Sequence, residues 1–159
     1  MKIFSNQKLK ISGYVLYESV ENQIDYVEFF EKFNLPDTFY SWFAITELHV
    51  WMLMVRCMAE DADGMVVRNS VIDCFWEDVS ARIKKIGGVN PSKARKQLRL
   101  LAQQFRAAVI AYDEGLQSND MVLAGAIWRI MYQREDVDVC DIEDLVNYVR
   151  RHVSLCKHP

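Results

Sequence analysis

Two kinds of side chain in this sequence have types and positions that could support chemistry: carboxylates inside apolar stretches, and histidines. The carboxylates that a helical bundle could gather into a di-iron centre are Glu47, Glu77, Asp78 and Glu114. Such a centre also needs a Glu-x-x-His motif on two helices, and the sequence contains none. A glycine-rich phosphate loop, a G-x-S-x-G and an H-E-x-x-H are also missing. We therefore expect no catalytic residue, no metal site, no cofactor and no enzyme activity.

His49 is the histidine that stands inside an apolar stretch, whereas His152 and His158 lie near the C-terminal end. One histidine without a second ligand makes a poor metal site. A hydrogen-bonded histidine in the core is therefore the favoured interpretation. Ligation of haem or a metal by His49 is the alternative, and it would make the protein a haem- or metal-handling helical bundle.

The four cysteines have no metal-ligand spacing, because no two form C-x-x-C and none stands beside a histidine as in a zinc finger. This pattern is typical of reduced thiols in a reducing compartment. Residues 1–10 lack both a secretory signal and the Arg-rich amphipathic pattern of a mitochondrial presequence. Either the protein needs no import, or its natural chain begins earlier.

A block of positive charge is more informative than the net charge of −3. No acid interrupts the segment 84–106, which carries Lys84, Lys85, Lys93, Arg95, Lys96, Arg99 and Arg106. On a helix, the spacing of Lys93, Lys96 and Arg99 keeps them away from the apolar stripe that begins at Leu98. Such a face attracts ribosomal RNA, anionic lipid or an acidic partner, or it is a solvated face that aids solubility. The modest net charge argues against DNA binding.

Helices are predicted throughout, because Gly and Pro are scarce, at 6 and 3 of 159 residues. We expect one all-α domain over 1–159, with a helical core over 8–155 and about six to seven helices. The apolar run 39–55 contains Glu47 and His49 and is too short for a bilayer span, so it predicts a buried central helix.

Caps and stripes give the expected bounds of each helix. They are 8–20, a short helix capped by Asp25, 38–60 with a possible break near Trp42, 65–86 after a turn at 61–64, 91–116, a helix capped by Asn119 or Asp120 that ends near 132, and a last helix capped by Asp141. Asp78 and Arg82 have the i, i+4 spacing of an ion pair.

Candidate contacts with a partner or client protein include an aromatic pair at a helix start and an acidic pair near a helix end. Trp42 is expected in an exposed aromatic patch, of the kind enriched at interfaces. Trp51, Trp76 and Trp128 are expected in the core. Asp113 and Glu114 either join a network with Arg56, Glu77, Asp78 and Arg129 or meet a basic partner. The candidate set is Trp42, Phe43, His49, Asp113 and Glu114.

Four stretches together resemble the ubiquinol–cytochrome c chaperone family, in particular its mitochondrial branch. They are Leu-Pro-Asp-Thr-Phe with Ser-Trp-Phe at 35–43, Thr-Glu-Leu-His-Val-Trp-Met at 46–52, Phe-Trp-Glu-Asp-Val at 75–79 with Arg82, and Ala-Tyr-Asp-Glu-Gly-Leu at 111–116. The segment from Leu123 to Arg129 completes the pattern. The resemblance spans about residues 13–151, over several predicted helices in the same order.

This resemblance implies a non-enzymatic chaperone for the assembly of respiratory complex III. Mitochondrial members pair with a second, smaller assembly factor. The pair is associated with the mitochondrial ribosome near its exit tunnel and with newly made cytochrome b. The implied location is the matrix side of the mitochondrial inner membrane, or the cytoplasm for a bacterial member.

Overall fold

The computed structural model describes residues 2–87 and 90–155, and over these ranges the chain is built of helices and their connections. The seven helices are α1 (Lys2–Gln23), α2 (Tyr26–Lys32), α3 (Phe39–Cys57), α4 (Ala62–Ile86), α5 (Pro91–Gln117), α6 (Asp120–Ile130) and α7 (Val139–Leu155). The predicted all-α fold is confirmed. Gly88, Val89, Cys156 and His158 lie outside the described residues.

Side-chain caps fix several helix starts where the sequence placed them. Asp25 accepts a hydrogen bond from the Glu28 amide and begins α2, and Asn119 does the same for Val122 and begins α6. Thr38, one of two candidates, caps α3 through the Ser41 amide. Each cap satisfies an amide that the first turn of a helix otherwise leaves without an acceptor.

Four expected bounds are wrong, and the first is that of α1, which runs from Lys2 to Gln23 rather than over 8–20. α3 runs unbroken past Trp42 and ends at Cys57. α4 begins at Ala62, so Gly64 lies inside the helix and the turn precedes it. The last helix begins at Val139 because Asp138, rather than Asp141, accepts the Cys140 amide at 2.9 Å.

α3 is the central helix, and every residue from Ser41 to Met52 is buried. One part of the core packs α3 against α2, α5, α6 and α7, and the other packs it against α1, α4 and α5. The predicted buried stripes are confirmed at Val71, Phe75 and Val79 of α4, among others. No described helix has the length and apolarity of a membrane span.

α1 lies directly against α4, and a glycine permits the close approach. A Cβ atom placed on Gly13 would stand 2.5 Å from Ser70 Cβ and 2.7 Å from the Val67 carbonyl oxygen. Any larger residue at this position would push the two helices apart. This packing brings Tyr17 and Glu21 of α1 to the polar residues of α4.

Candidate functional site

The two aromatic residues expected to meet a partner lie in the core. Trp42 is 7% exposed, stacks on Phe39 and is covered by the Arg82 guanidinium, 4.0 Å from its ring centroid. Phe43 is fully buried against Phe75 and Trp76. The expectation of an exposed aromatic patch at Trp42 is therefore wrong, because α3 starts inside the bundle. Phe43 has no surface to offer a partner in this conformation.

His49 is a hydrogen-bonded core residue, as the sequence predicted. Its Nδ1 lies 2.7 Å from the Ile45 carbonyl oxygen, and its Nε2 lies 2.6 Å from the Tyr148 hydroxyl. Because a carbonyl only accepts, Nδ1 carries the proton and Nε2 accepts from Tyr148. Burial lowers the pKa of His49 to about 4, so the ring is neutral near pH 7. With both nitrogens engaged, His49 is poorly placed to ligate haem or a metal.

The four acids that could suggest a metal centre do not converge. Glu77 and Glu114 are exposed, Asp78 accepts from Tyr17 and Arg82, and Glu47 is fully buried. Among the residues that the structure describes, no three His, Cys, Asp or Glu side chains lie close enough together to hold a metal ion.

The expected polar network around Asp113 forms differently from the prediction. Asp113 Oδ1 accepts the Trp51 indole N–H at 2.8 Å and so ties α5 to α3. Arg56, in the last turn of α3, pairs with Glu60 in the connection to α4, at 3.2 Å. Glu114 is exposed near the end of α5 and stays a candidate contact for a basic partner.

The predicted Asp78–Arg82 pair is confirmed, at 3.0 Å, and two residues of α1 join it. Arg82 also pairs with Glu21 of α1 at 3.0 Å, and the Tyr17 hydroxyl donates to Asp78 at 2.6 Å. The contact of Glu21 with Arg82 could not be predicted from the sequence, because it depends on how α1 lies against α4.

Glu47 is the least satisfied polar residue of the core. Neither carboxyl oxygen has a protein hydrogen-bond partner, and the same holds for the buried Tyr112 hydroxyl. Burial raises the pKa of Glu47 to about 8, and the nearby Gln104 amide offsets this in part. Gln104 Nε2 nevertheless donates to the Tyr40 hydroxyl, at 2.7 Å. Glu47 is therefore largely protonated at pH 7.

The seven Lys and Arg residues of the segment 84–106, which we call the basic face, lie on the surface, as predicted, and all seven side chains are exposed. None of the seven takes part in the ion pairs found among the described residues. Beside it, a groove of about 610 Å³ separates the end of α4 from the start of α5. Ile83, Ala94 and Leu98 line this groove, and Lys84, Lys93 and Arg95 stand around it. The arrangement can bind an extended anionic surface.

A second surface, which the sequence analysis missed, is an apolar groove between α6 and α7. This α6–α7 groove has a volume of about 580 Å³ and is lined by Asp120, Met121, Ala124, Gly125, Trp128, Val139, Ile142, Glu143, Val146 and Asn147. Met121 is 82% exposed, Val139 66% and Trp128 37%. The expectation that Trp128 belongs to the core is wrong.

The Trp128 ring is held at the edge of the groove by its own polar atom. The indole N–H donates to the Glu135 carbonyl oxygen at 2.8 Å, which ties the end of α6 to the connection before α7. Backbone with positive φ at Gln133 and Arg134 turns the chain there. The signal that could have revealed the groove is Val139, which continues the apolar spacing of Ile142 and Val146 to a helix start earlier than predicted.

Fold and sequence together define the class of protein. The sequence profile of the ubiquinol–cytochrome C chaperone family matches residues 31–157, and the chain belongs to this family. Among curated relatives, the chain is 50% identical over 152 residues to "Ubiquinol-cytochrome c reductase complex assembly factor 1" of Drosophila melanogaster. It is 41% identical over 151 residues to the human protein of the same name.

These alignments cover 93% and 95% of this chain, but 59% of the fly protein and 50% of the human one. The chain thus spans about half the length of the curated relatives it matches. The crystal structure of the Cbp3 homolog from Brucella abortus has the same fold. Its TM-score is 0.78 at 21% identity, over 99% of this chain and 84% of the other.

Proposed function

We propose that this protein is a non-catalytic assembly chaperone for ubiquinol–cytochrome c reductase, respiratory complex III. The observation that carries the proposal is membership of the chaperone family together with 41–50% identity to two animal proteins named for assembly of this complex. In the finer proposal, the chain binds newly synthesised cytochrome b together with a smaller partner assembly factor.

Two surface features support a mechanism based on binding. The α6–α7 groove leaves apolar side chains accessible along two helices, and exposed apolar surface of this kind marks a protein interaction site. The basic face presents seven exposed cations, none of which takes part in the ion pairs of the described residues. A chaperone that must hold another protein and dock at a negatively charged structure can use both surfaces.

We assign the basic face to docking at the mitochondrial ribosome or at the inner-membrane surface, on the matrix side. Ribosomal RNA and the lipid surface both attract clustered Lys and Arg through long-range, salt-dependent forces. The relatives named for assembly of ubiquinol–cytochrome c reductase support a mitochondrial location, and the matrix side of the inner membrane is the finer part of the proposal.

The test is complementation in cells that lack their own assembly factor of this family. Expression of this chain, carried by a mitochondrial targeting sequence, should restore assembled complex III on native gels. It should also recover radiolabelled, newly made cytochrome b in a pull-down. A well-expressed, folded chain that recovers neither the complex nor cytochrome b would refute the proposal.

A triple charge-reversal variant tests the role of the basic face. Reversal of Lys93, Lys96 and Arg99 to Glu should weaken co-sedimentation with ribosomes or membranes and leave the helical circular dichroism unchanged. The matched control reverses Lys8, Lys10 and Lys32, which are exposed on α1 and α2. Equal co-sedimentation of the two triple variants would exclude the basic face from docking.

A further inference from the structure

The α6–α7 groove has a shape that can accommodate one helix. α6 contributes residues 121, 124, 125 and 128, and α7 contributes 139, 142, 143 and 146. Spacings of three and four place each set along one side of its helix. From Asp120 to Trp128 the groove extends roughly 12 Å, which is about two turns of a docked helix. A groove with two helical walls can bind the apolar stripe of an amphipathic helix.

The groove is kept open by a glycine. A Cβ atom placed on Gly125 would meet only Arg129 Nη1, at 3.3 Å, which is the far end of a flexible side chain. A side chain at this position would therefore point into the groove and disturb nothing in the core. Gly125 thus offers a way to fill the groove without altering the bundle.

The charge around the groove is mainly negative, although the Arg129 guanidinium lies beside Gly125. Asp120 and Glu143 stand at its rim, and its lining contains no Lys or Arg. Between residues 120 and 148 the sequence carries seven acids and two arginines. Arg150 neutralises part of this charge by pairing with Asp120 at 3.0 Å, whereas Glu143 is exposed and is absent from the ion pairs of the described residues.

We propose that the α6–α7 groove binds an amphipathic helix of a partner protein, whose apolar stripe is flanked by Lys and Arg. The inference rests on the proposed chaperone function and states which kind of segment occupies this surface. An uncharged membrane-spanning helix would gain nothing from the acidic rim, and an acidic helix would be repelled by it. The occupant is therefore a cationic helix, as a water-exposed partner factor can supply.

The direct test uses three synthetic helical peptides of the same apolar stripe, each about four turns long. Their flanking positions carry Lys, Gln or Glu, and binding to the full chain is measured by fluorescence anisotropy. The Lys peptide should bind at least about tenfold more tightly than the Glu peptide, with the Gln peptide between them. Equal binding of the Lys and Glu peptides would overturn the proposal.

Variants locate the binding. Gly125→Leu should weaken the Lys peptide about tenfold or more, whereas Ala107→Leu, on an exposed position of α5, should not. Glu143→Lys should shift the preference toward the Glu peptide, and Glu31→Lys, at an exposed acid of α2, is its control. Unchanged affinity in Gly125→Leu, with the circular dichroism intact, would place the peptide elsewhere and refute the assignment.

Two further readouts separate this inference from its alternatives. A dimer in sedimentation equilibrium that Gly125→Leu dissociates would show that a second copy of this chain fills the groove, against the proposal. Complementation by the wild-type chain reports on the chaperone function independently of the peptides. Complementation without selective peptide binding refutes the helix proposal alone. Selective binding without complementation refutes the proposed function alone.

Discussion

His49 and Glu47 stand two positions apart on the central helix α3, and their surroundings in the core differ. His49 faces α2 and α7, where Phe29 packs on its ring and Tyr148 donates to Nε2. Glu47 lies near Tyr112 and Gln104 of α5, and no protein atom bonds its carboxyl oxygens. Both side chains are buried and largely uncharged near pH 7, but only His49 forms hydrogen bonds that offset the cost of its burial.

The difference shows that burial alone does not determine whether a polar residue stabilises the fold. A buried polar group with its partners contributes about 1 kcal/mol per hydrogen bond, whereas one without a partner costs about 1–3 kcal/mol. Substitutions at the two positions should therefore have opposite signs. The predictions below test this contrast, beginning with the largest effect.

Replacing His49 with alanine should lower the free energy of unfolding by about 3 kcal/mol. The change removes the acceptor of the Tyr148 hydroxyl and opens a cavity between α2 and α7, while the Ile45 carbonyl keeps its helical hydrogen bond. Urea denaturation at pH 7.5, followed by circular dichroism, measures it. His152→Ala, a half-buried neighbour that stacks on Tyr148, is the control and should cost less. An equal loss in both variants would contradict the special position of His49.

Replacing Glu47 with methionine should instead raise the free energy of unfolding at pH 8, by about 2 kcal/mol. Methionine fills a similar volume without a polar group that lacks a partner. Glu47→Gln keeps the polarity and removes the ionisation, so it should stabilise less. The same urea titration decides the matter, and destabilisation by methionine would mean that the Glu47 carboxyl has a favourable interaction.

The pH dependence of stability should also separate the two residues. The pKa of Glu47 is about 8 in the fold and ordinarily 4.5. The free energy of unfolding should therefore fall as the pH rises from 4.5 to 8, because the unfolded chain releases a proton that the fold retains. The pKa of His49 is about 4 in the fold and ordinarily 6.5. The free energy of unfolding should therefore fall as the pH decreases from 6.5 to 4, because the unfolded chain takes up a proton that the buried ring does not. Between pH 6.5 and pH 8 the Glu47 effect exceeds the fading, opposite effect of His49, so the net loss of the free energy of unfolding should be about 1 kcal/mol per pH unit.

Urea titrations at intervals from pH 6.5 to pH 8 measure this slope. The wild-type chain should lose stability across the interval, and Glu47→Gln should abolish most of the loss. A flat wild-type profile would show that Glu47 is ionised and compensated well below pH 8.

The smallest effect comes from one substitution made at two tyrosines. Tyr148→Phe removes the donor to His49 and should destabilise by about 1 kcal/mol. Tyr112→Phe removes a buried hydroxyl without a protein partner, so it should be neutral or stabilising by up to about 1 kcal/mol. Thermal denaturation of the two variants measures the change in stability. Equal destabilisation by both substitutions would contradict the difference between the surroundings of His49 and Glu47.

Much of the fold could be predicted because helical periodicity is local. Apolar residues at spacings of three and four identified the buried sides of α4 and α5, and side-chain caps identified the starts of α2 and α6. The start of α7 was missed because both Asp138 and Asp141 can cap, and the choice between them depends on the chain path from α6. Trp128 was assigned to the core because composition cannot distinguish a buried indole from one on a groove wall.

The sequence by itself determined the helical class, the central place of α3 and the continuous basic segment, because each depends on residues close together along the chain. Only the tertiary structure decided the α6–α7 groove, the Glu21–Arg82 pair and the missing partner of Glu47. Each of these depends on which helices, distant in sequence, pack side by side. That choice depends on the shapes and volumes of whole helix faces, which no local pattern of residue types specifies.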